Sequence, residues 1–531
     1  MNDRPRRTYD RHGHLNPVAV ALAFVSVSLA ISLPILQAEF LPLTDLPNHI
    51  ARHFIATMGP GPLDDYYAYT FALVPNTAAD LAWLLFGGGG DPVAFARYTI
   101  AFYLIALVAA TMFLARVVHG HWTLWSAAVG LVAYNANFFW GFQNYIVTMP
   151  FAIFVLALWL WSERLTVGQR LVLLSPLIAG LYVLHLFAFV FLATAAFGRE
   201  LQLLIERKGA RKEQMARSLF MGLPFAVLLL ILLYGIVNGP PNPGGTESSF
   251  GAWVRRLETL QAISMATDQF TSIALRATGL LVVAFLCLSL LAVRFRKIFG
   301  GLRLANKMKG ALIAVSVLTL LSPFLINGVA FVHIRFGFAM VALFLAATTW
   351  RQLSFPTRGL VAGAVVALLF ARSVAMAGYV EKHQQEVRDF IAIAQDVPAG
   401  DRLFFVWMDR RTSDVRQWHL SAYAIPFAQV FVPTLFQGVH AFSVKDQWKE
   451  SSAASAASIL YRFLLDESLM ADLPSGMEML RDWQTKYTHL AVMGSARNGF
   501  DDLVLLPTLE LIEEKGRFRL YRIVAPPVAS E

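Results

Sequence analysis

The segment from Thr44 to His53 (Thr44-Asp45-Leu46-Pro47-Asn48-His49-Ile50-Ala51-Arg52-His53) carries side chains that can do acid–base chemistry beside a membrane. It contains one carboxylate, two imidazoles and one guanidinium, and it follows directly on the first long apolar run of the chain. An acidic side chain beside a bilayer is costly, so it is a candidate functional group. Asp45 could take a proton from a hydroxyl as a general base. His49, four residues later, lies on the same helix face and could assist it.

Two simpler roles for Asp45 stay open. Asp is a preferred N-cap, and Pro47 would stand in the first turn of the following helix, so Asp45 could cap that helix with or without a catalytic role. Asp45 and His49 could also share a divalent metal ion. Two ligands at this spacing do not define a metal site, so the sequence implies no certain cofactor.

The composition predicts that lipid surrounds the elements that position this segment. Of the 531 residues, 57% are apolar and only 15% are charged, and the mean hydropathy is +0.55. Soluble domains are about 45–50% apolar and about 25% charged. Apolar runs long enough to span a bilayer recur along the chain. They predict eleven spans, near residues 16–37, 95–116, 122–138, 145–161, 170–185, 186–204, 218–237, 273–293, 310–328, 336–352 and 359–377.

The net charge of +9 follows the loops between these spans. Arginines and lysines cluster at the N-terminus and in nearly every second loop after it, which is the positive-inside pattern. The pattern places the N-terminus in the cytoplasm and, after an odd number of spans, the C-terminus outside, as in a multi-pass protein of the cytoplasmic (inner) membrane. The basic character thus reflects topology and does not call for nucleic acid as a partner.

The sequence divides into a transmembrane domain, 1–377, and a soluble extracytoplasmic α/β domain, 378–531. The first external loop, 39–94, is expected to hold interfacial helices beginning near Asp45 and at 77–86, and the fourth external loop covers 238–272. Strands are predicted at 403–408, 430–435 and 489–493, with a hairpin of 509–512 and 518–523, and helices near 454–465 and 476–486. The only cysteine, Cys287, lies within a predicted span, so this domain must fold on its own core.

The remaining suspicious polar residues stand at the external ends of spans, so five separate segments converge on one membrane face. Several of them also have a structural interpretation: an aromatic belt for the tyrosine, packing for the spans' histidine and asparagine, and snorkelling or solvation for the arginines. The candidates for substrate binding are Asn48, Asp64, Asp65, Tyr67, Asn144, His185, Arg255, Arg256, His333 and Arg335.

These groups suit transfer of a sugar from a polyprenyl-phosphate donor. The anomeric carbon of such a donor lies just outside the bilayer, where a carboxylate could activate the acceptor hydroxyl. Arginines could hold the departing phosphate and stabilise its charge. The apolar body of the protein, in contact with membrane lipid, would accommodate the lipid tail.

The layout resembles the GT-C superfamily of integral membrane glycosyltransferases, distantly the lipid A aminoarabinose transferases and the protein O-mannosyltransferases. The segments that carry the resemblance are Asp45 to His49, Pro75-Asn76 with Asp80-Leu81, and Gly141 to Tyr145, which look like a bacterial subgroup. The resemblance implies a GT-C-like membrane domain, a catalytic acid at Asp45, a second acidic position at Asp64 or Asp65, and phosphate-holding residues at Arg255 or Arg256 and at Arg335. Asp64 and Asp65 are adjacent and not spaced as in a DxD motif, which leaves metal dependence open.

The sequence therefore predicts an inverting membrane glycosyltransferase that uses a lipid-linked sugar and an extracytoplasmic glycan, lipid or protein acceptor, with Asp45 and His49 as catalytic residues. Two alternatives remain. One is a transporter or flippase of an envelope lipid or saccharide, although no internal repeat or mid-span acid is found. The other is a non-catalytic envelope assembly protein that acts through its C-terminal domain.

Overall fold

A computed structural model describes residues 16–239, 245–265, 272–295, 301–350, 355–408, 415–437, 442–453, 459–465, 477–495 and 498–524. The N-terminal basic cluster, parts of the 238–272 loop and residues 454–458 of an expected helix lie outside these ranges.

Eight helices of the described chain are long and apolar enough to cross a membrane. They confirm the expected multi-pass helical architecture, because each coincides with a long apolar run of the sequence. They are α1 (Pro17–Leu36), α4 (Pro92–His119), α6 (Gln143–Trp161), α7 (Val167–Leu184), α8 (Leu186–Glu206), α9 (Arg211–Asn238), α11 (Ile273–Arg294) and α14 (Phe355–Ala394). The shorter helices are α2 (Leu46–Thr57), α3 (Ala78–Ala82), α5 (Ala136–Phe139), α10 (Arg255–Gln261), α12 (Lys309–Leu321), α13 (Gly337–Ala347) and α15 (Ala424–Ala428).

Three of the eleven expected spans are shorter than predicted. Region 122–138 forms a 3₁₀ helix, Leu124–Val132, and then α5, whose first turn is capped by the side chain of Asn135. Helix α12 ends at Leu321 because Ser322 precedes a proline and is extended. Helix α13 ends at Ala347 because the next residues, Thr348–Trp350, pair with Leu302–Leu304 as strands. An apolar run alone does not reveal these stops.

Arg372, a charged side chain within the candidate span α14, contacts two chain segments near α5. Arg372 of α14 is 1% exposed. Its guanidinium donates to the carbonyls of Tyr134, at 2.7 Å, and Ser264, at 2.9 Å. Arg372 therefore joins α14 to the chain just before α5 and to the chain just after α10.

The C-terminal part is an α/β structure built on a four-stranded sheet. The strand order is β6-β8-β10-β9, with β6 parallel to β8 and the other pairs antiparallel. Its strands are β6 (Leu403–Trp407), β8 (His489–Met493), β9 (Leu509–Lys515) and β10 (Phe518–Ile523). The segment expected as a strand at 430–435 makes only an isolated bridge, from Phe431 to Arg402. In the described residues of the helices expected near 454–465 and 476–486, the structure has short helical turns, Tyr461–Leu464, Glu478–Leu480 and Trp483–Lys486.

Helix α14 joins the two parts without a break, so the expected boundary at 377 and 378 falls inside a continuous helix. The loop 39–94 also joins them, because β1 (Tyr67–Tyr69) pairs antiparallel with β7 (Phe442–Val444). The hydroxyl of Tyr66 donates to the carbonyl of Gly400 at 2.6 Å. Short pairs of β2 (Leu302–Leu304) with β5 (Thr348–Trp350), and of β3 (Leu325–Ile326) with β4 (Val329–Ala330), complete the strands.

Candidate functional site

Asp45 lies at the N-terminal end of α2 with its carboxylate free of the capping role. Its side chain makes no cap hydrogen bond to the helix, and 14% of it is exposed. The backbone holds it instead: the amide of Asp45 donates to the carbonyl of Trp140, and that of Thr44 to Phe139, both at 3.0 Å. The carboxylate is thus positioned by its backbone and remains available to a reactant.

The electrostatics of Asp45 suit a general base. Burial raises the pKa of its carboxyl to about 7, and the guanidinium of Arg335 acts in the opposite direction. A base with a pKa near the working pH combines a populated basic form with enough proton affinity to act. The Nε2 atom of His419, from the C-terminal part, lies 3.6 Å from Oδ1 of Asp45.

Arg335 is buried in a cage of aromatic rings near Asp45. Its guanidinium carbon lies 4.2 Å from the ring centre of Phe142, 4.8 Å from that of Phe187 and 5.6 Å from that of Tyr145. The Tyr145 hydroxyl donates to the carbonyl of Arg335 at 2.6 Å and so fixes its backbone. Rings on several sides hold the planar cation by cation–π attraction without neutralising its charge.

A group of aromatic side chains links Asp45 to this cage. Trp140, whose carbonyl holds the Asp45 amide, stacks on Phe331 at 4.3 Å and on Phe142 at 6.1 Å between ring centres. Trp418, next to His419, meets Trp140 edge to face at 5.5 Å. Flat apolar faces of this kind can pack against a sugar ring.

Buried polar atoms without a hydrogen-bond partner among the described residues collect around this group. Buried polar atoms in native proteins nearly always have a partner, so such a collection marks a place where a polar ligand or water binds. They are Nε of Arg335, both amide atoms of Gln143, Nε1 of Trp418, Nδ1 of His419 and Nδ2 of Asn48.

Of the candidates predicted from the sequence, Asn48, His49 and His185 differ in what they contact. Asn48 accepts a hydrogen bond from the amide of Phe436 at 3.2 Å, which ties α2 to the C-terminal part. His49 is buried on α2, 8% exposed. His185 caps α8 by accepting from the Phe187 amide at 3.1 Å, and its ring lies 5.0 Å from that of Tyr145. Burial, reinforced by Arg335, lowers the pKa of His185 well below its usual value. Among these residues, His185 shares a ring neighbour with Arg335.

A second polar cluster forms where α10 meets the turn before α13. The carboxylate of Glu258 lies 3.1 Å from Nε2 of His333 and 3.6 Å from the guanidinium of Arg255. Arg256 instead donates to the carbonyls of Ser322 and Phe250. His333 and Arg255 are therefore brought together, whereas Arg256 is engaged with backbone.

Four of the expected substrate-binding residues make structural contacts elsewhere. Asp64 accepts from the Gly61 amide at 3.0 Å within a turn, and the Asp65 carbonyl accepts from the Trp448 indole at 3.0 Å. The Tyr67 hydroxyl both donates to and accepts from the backbone of Val432. Asn144 accepts from the Ala79 amide and donates to the Asn76 carbonyl, both at 2.6 Å. None of these contacts reaches Asp45 or Arg335.

Several neighbours of Asp45 escape sequence reasoning. Trp418 and His419 lie in the C-terminal part, more than one element after the last candidate span, and no local motif marks them.

Arg52 donates to the carboxylate of Asp80 at 2.6 Å, with both side chains buried. Asp80 stands in one of the short segments noted above, but its spacing from Arg52 does not reveal the pair.

In the described chain, no group of three histidine, cysteine, aspartate or glutamate side chains is placed to hold a metal ion.

No known protein family matches the sequence, and no curated protein matches it. The fold does have a counterpart among solved structures. ArnT from Cupriavidus metallidurans, in the apo state, superimposes with a TM-score of 0.51 over 96% of this chain and 99% of its own, at 14% identity. The resemblance noted from the segments around Asp45 and Gly141 is thereby confirmed for the fold: the chain shares the overall fold of ArnT, and its described part holds eight helices long and apolar enough to cross a membrane.

Proposed function

We propose that this protein is an inverting glycosyltransferase that moves a sugar from a polyprenyl-phosphate donor to an acceptor hydroxyl outside the cytoplasmic membrane. The observation that carries the proposal is that Asp45, a mostly buried carboxylate with a pKa of about 7, lies in the electrostatic field of the caged cation Arg335. The GT-C architecture shared with ArnT supports this class of reaction.

In the proposed reaction the acceptor oxygen attacks the anomeric carbon of the donor. The carboxylate of Asp45 takes the proton from the acceptor hydroxyl as the new C–O bond forms. The bond between the anomeric carbon and the phosphate oxygen breaks, and its electron pair leaves with the lipid phosphate. Arg335 stabilises the charge that grows on that phosphate, an interaction stronger in the transition state than in the ground state.

The other residues have supporting roles in this proposal. Arg255 is the second candidate cation for the phosphate, with His333 sharing its partner Glu258. Asn48 and His49 would orient Asp45 or the acceptor, and the unpartnered amide of Gln143 and indole of Trp418 would contact sugar hydroxyls. The positive-inside pattern supports a cytoplasmic N-terminus, with this site and the C-terminal part facing outward. There the C-terminal part would bind the glycan, lipid or protein acceptor.

The test is transfer by purified protein from a panel of polyprenyl-phosphate sugars, with a cell-envelope extract as acceptor. We expect Asp45→Asn to fold like the parent and to lose transfer, because Asn keeps the side-chain size but is no base. The control is Asp64→Asn, which alters a turn carboxylate. Transfer by Asp45→Asn at the parent rate would refute the role of Asp45. Movement of the lipid-linked sugar across proteoliposomes without covalent change would refute the enzyme assignment.

A further inference from the structure

The segment that carries His419 is held by contacts with α14 on one side and with α2, the helix that begins after Asp45, on the other. On the α14 side, Gln417 donates to the carboxylate of Glu386, and Arg416 lies 3.8 Å from the same group. On the α2 side, the ring of His419 packs edge to face on Phe436 at 4.6 Å, and the Phe436 amide donates to Asn48. The imidazole is therefore clamped between the helix that begins at Asp45 and the rest of the C-terminal part.

We propose that His419 is a positioning residue for Asp45, whose neutral imidazole directs its Nε2–H at Oδ1 of the carboxylate and holds the basic form in place. This inference rests on the proposed function of Asp45 as the base. The separation of 3.6 Å between Nε2 and Oδ1 is longer than a hydrogen bond. Catalytic hydrogen bonds are often long in apo structures and shorten when substrate binds.

The proton belongs on Nε2 because that atom faces a carboxylate. Nδ1, in contrast, has no hydrogen-bond partner in the part of the chain that the structure describes. Burial lowers the pKa of His419 to about 3, so the ring is neutral where Asp45 titrates. A neutral donor stabilises the carboxylate without becoming a competing base.

Among the described residues, the other charged groups of the surrounding elements have contacts of their own. Arg335 is the cation that acts on Asp45. On α14, Glu386 engages Arg416, and His383 lies in the field of Arg416. His49 lies one turn along the helix that Asp45 begins. Removal of the His419 ring therefore leaves these charges in place and isolates the contact with Oδ1.

The experiment follows Asp45 directly by pH-difference infrared spectroscopy of the full-length protein in detergent, with no substrate added. The protonated carboxyl band is assigned by its loss in Asp45→Asn. We expect His419→Leu to move the midpoint of that band upward by less than about one pH unit, because the 3.6 Å contact of the substrate-free protein is longer than a full hydrogen bond to a charged group. His419→Gln, whose amide nitrogen replaces Nε2, should stay near the parent, whereas His419→Asn, with a shorter side chain, should resemble His419→Leu.

A matched control is His489→Leu, which removes another histidine–aspartate contact, that of His489 on strand β8 with Asp401 at 3.3 Å. It should leave the Asp45 midpoint unchanged. An unchanged midpoint in both His419→Leu and His419→Asn would overturn the proposal. If the parent shows no sugar transfer but the midpoint shifts, the proposed function fails and the contact stands. If transfer depends on Asp45 but the midpoint does not move, only the role of His419 fails.

Discussion

The backbone amide of Asp45 donates to the carbonyl of Trp140 at 3.0 Å, and this contact requires a glycine at the next position. Gly141 has a φ of +71°, and a Cβ there would lie 2.9 Å from the Asp45 nitrogen. Because neither backbone can move away cheaply, we predict that Gly141→Ala displaces Asp45 and abolishes most transfer activity.

The matched control for this substitution is Gly120→Ala. Gly120 also has a positive φ, +78°, but open space where a Cβ would lie. It should suffer only backbone strain of about 1–2 kcal/mol and keep its activity. Thermal unfolding and transfer rates compare the two, and equal activity in both variants would contradict the proposed crowding.

The carboxyl of Asp45 predicts how activity depends on pH. Its pKa of about 7 means that the basic form is lost below neutrality, so kcat/KM should rise about tenfold per pH unit up to about pH 7 and then level. The measurement is the transfer rate against pH at low donor concentration. A plateau that extends down to about pH 5 would show that an ordinary carboxylate, or none, is the base.

The same shift predicts how stability depends on pH. The pKa of Asp45 is higher in the folded protein than in the unfolded chain, so the folded state holds the extra proton between about pH 4 and 7. Its contribution to stability is therefore lost as pH rises through that window, by up to about 1.4 kcal/mol per unit. We expect Asp45→Asn to raise the unfolding temperature in detergent, by more at about pH 8 than at about pH 5. A difference that does not vary with pH would contradict this.

Because aromatic rings surround the guanidinium of Arg335, we predict that Arg335→Lys lowers the rate of sugar transfer even though the charge is kept. Lysine lacks the planar group that packs against Phe142 and Phe187. Loss of charge-assisted contacts of about 1.5–3 kcal/mol corresponds to about a 10- to 150-fold loss of rate. Arg388→Lys is the control, since Arg388 pairs with Glu39 at the surface. Equal transfer rates for both variants would show that Arg335 has no role in the reaction.

We predict that the buried pair of Arg52 and Asp80 contributes to the free energy of unfolding and takes no part in the reaction. Asp80→Ala leaves a buried guanidinium unpaired and should destabilise the fold by about 3–5 kcal/mol. Glu213→Ala breaks the exposed pair with Arg217 and should cost less than about 1 kcal/mol. Unfolding temperatures in one detergent compare the variants. Similar values for the two would mean that the buried pair contributes no more than a surface one.

The sequence predicts the long helices well, because apolar runs of about 18 residues or more have few other uses in a chain of this composition. It overextends the spans near Asn135, Ser322 and Thr348, where the N-cap of a new helix, a proline and a strand pairing interrupt the expected helix. These stops depend on local details or on distant partners, which hydropathy does not register.

Asp45 and Arg335 can be picked out because each is a charge at the edge of an apolar run. Sequence cannot tell whether an amide or hydroxyl serves a ligand or the backbone, and Asn144 and Tyr67 bond to backbone atoms in the structure. His419 reaches Asp45 only through the packing of the C-terminal part, which no local pattern encodes.

The pairing of β1 with β7 has a consequence for biosynthesis. Tyr67–Tyr69 leaves the ribosome early, but its strand partner Phe442–Val444 emerges only after most of the membrane helices have been made. His419 is made equally late. A nascent or truncated chain that already holds Asp45 therefore lacks both His419 and the strand partner of β1, so the surroundings of the Asp45 carboxylate are complete only when nearly the whole protein has been translated.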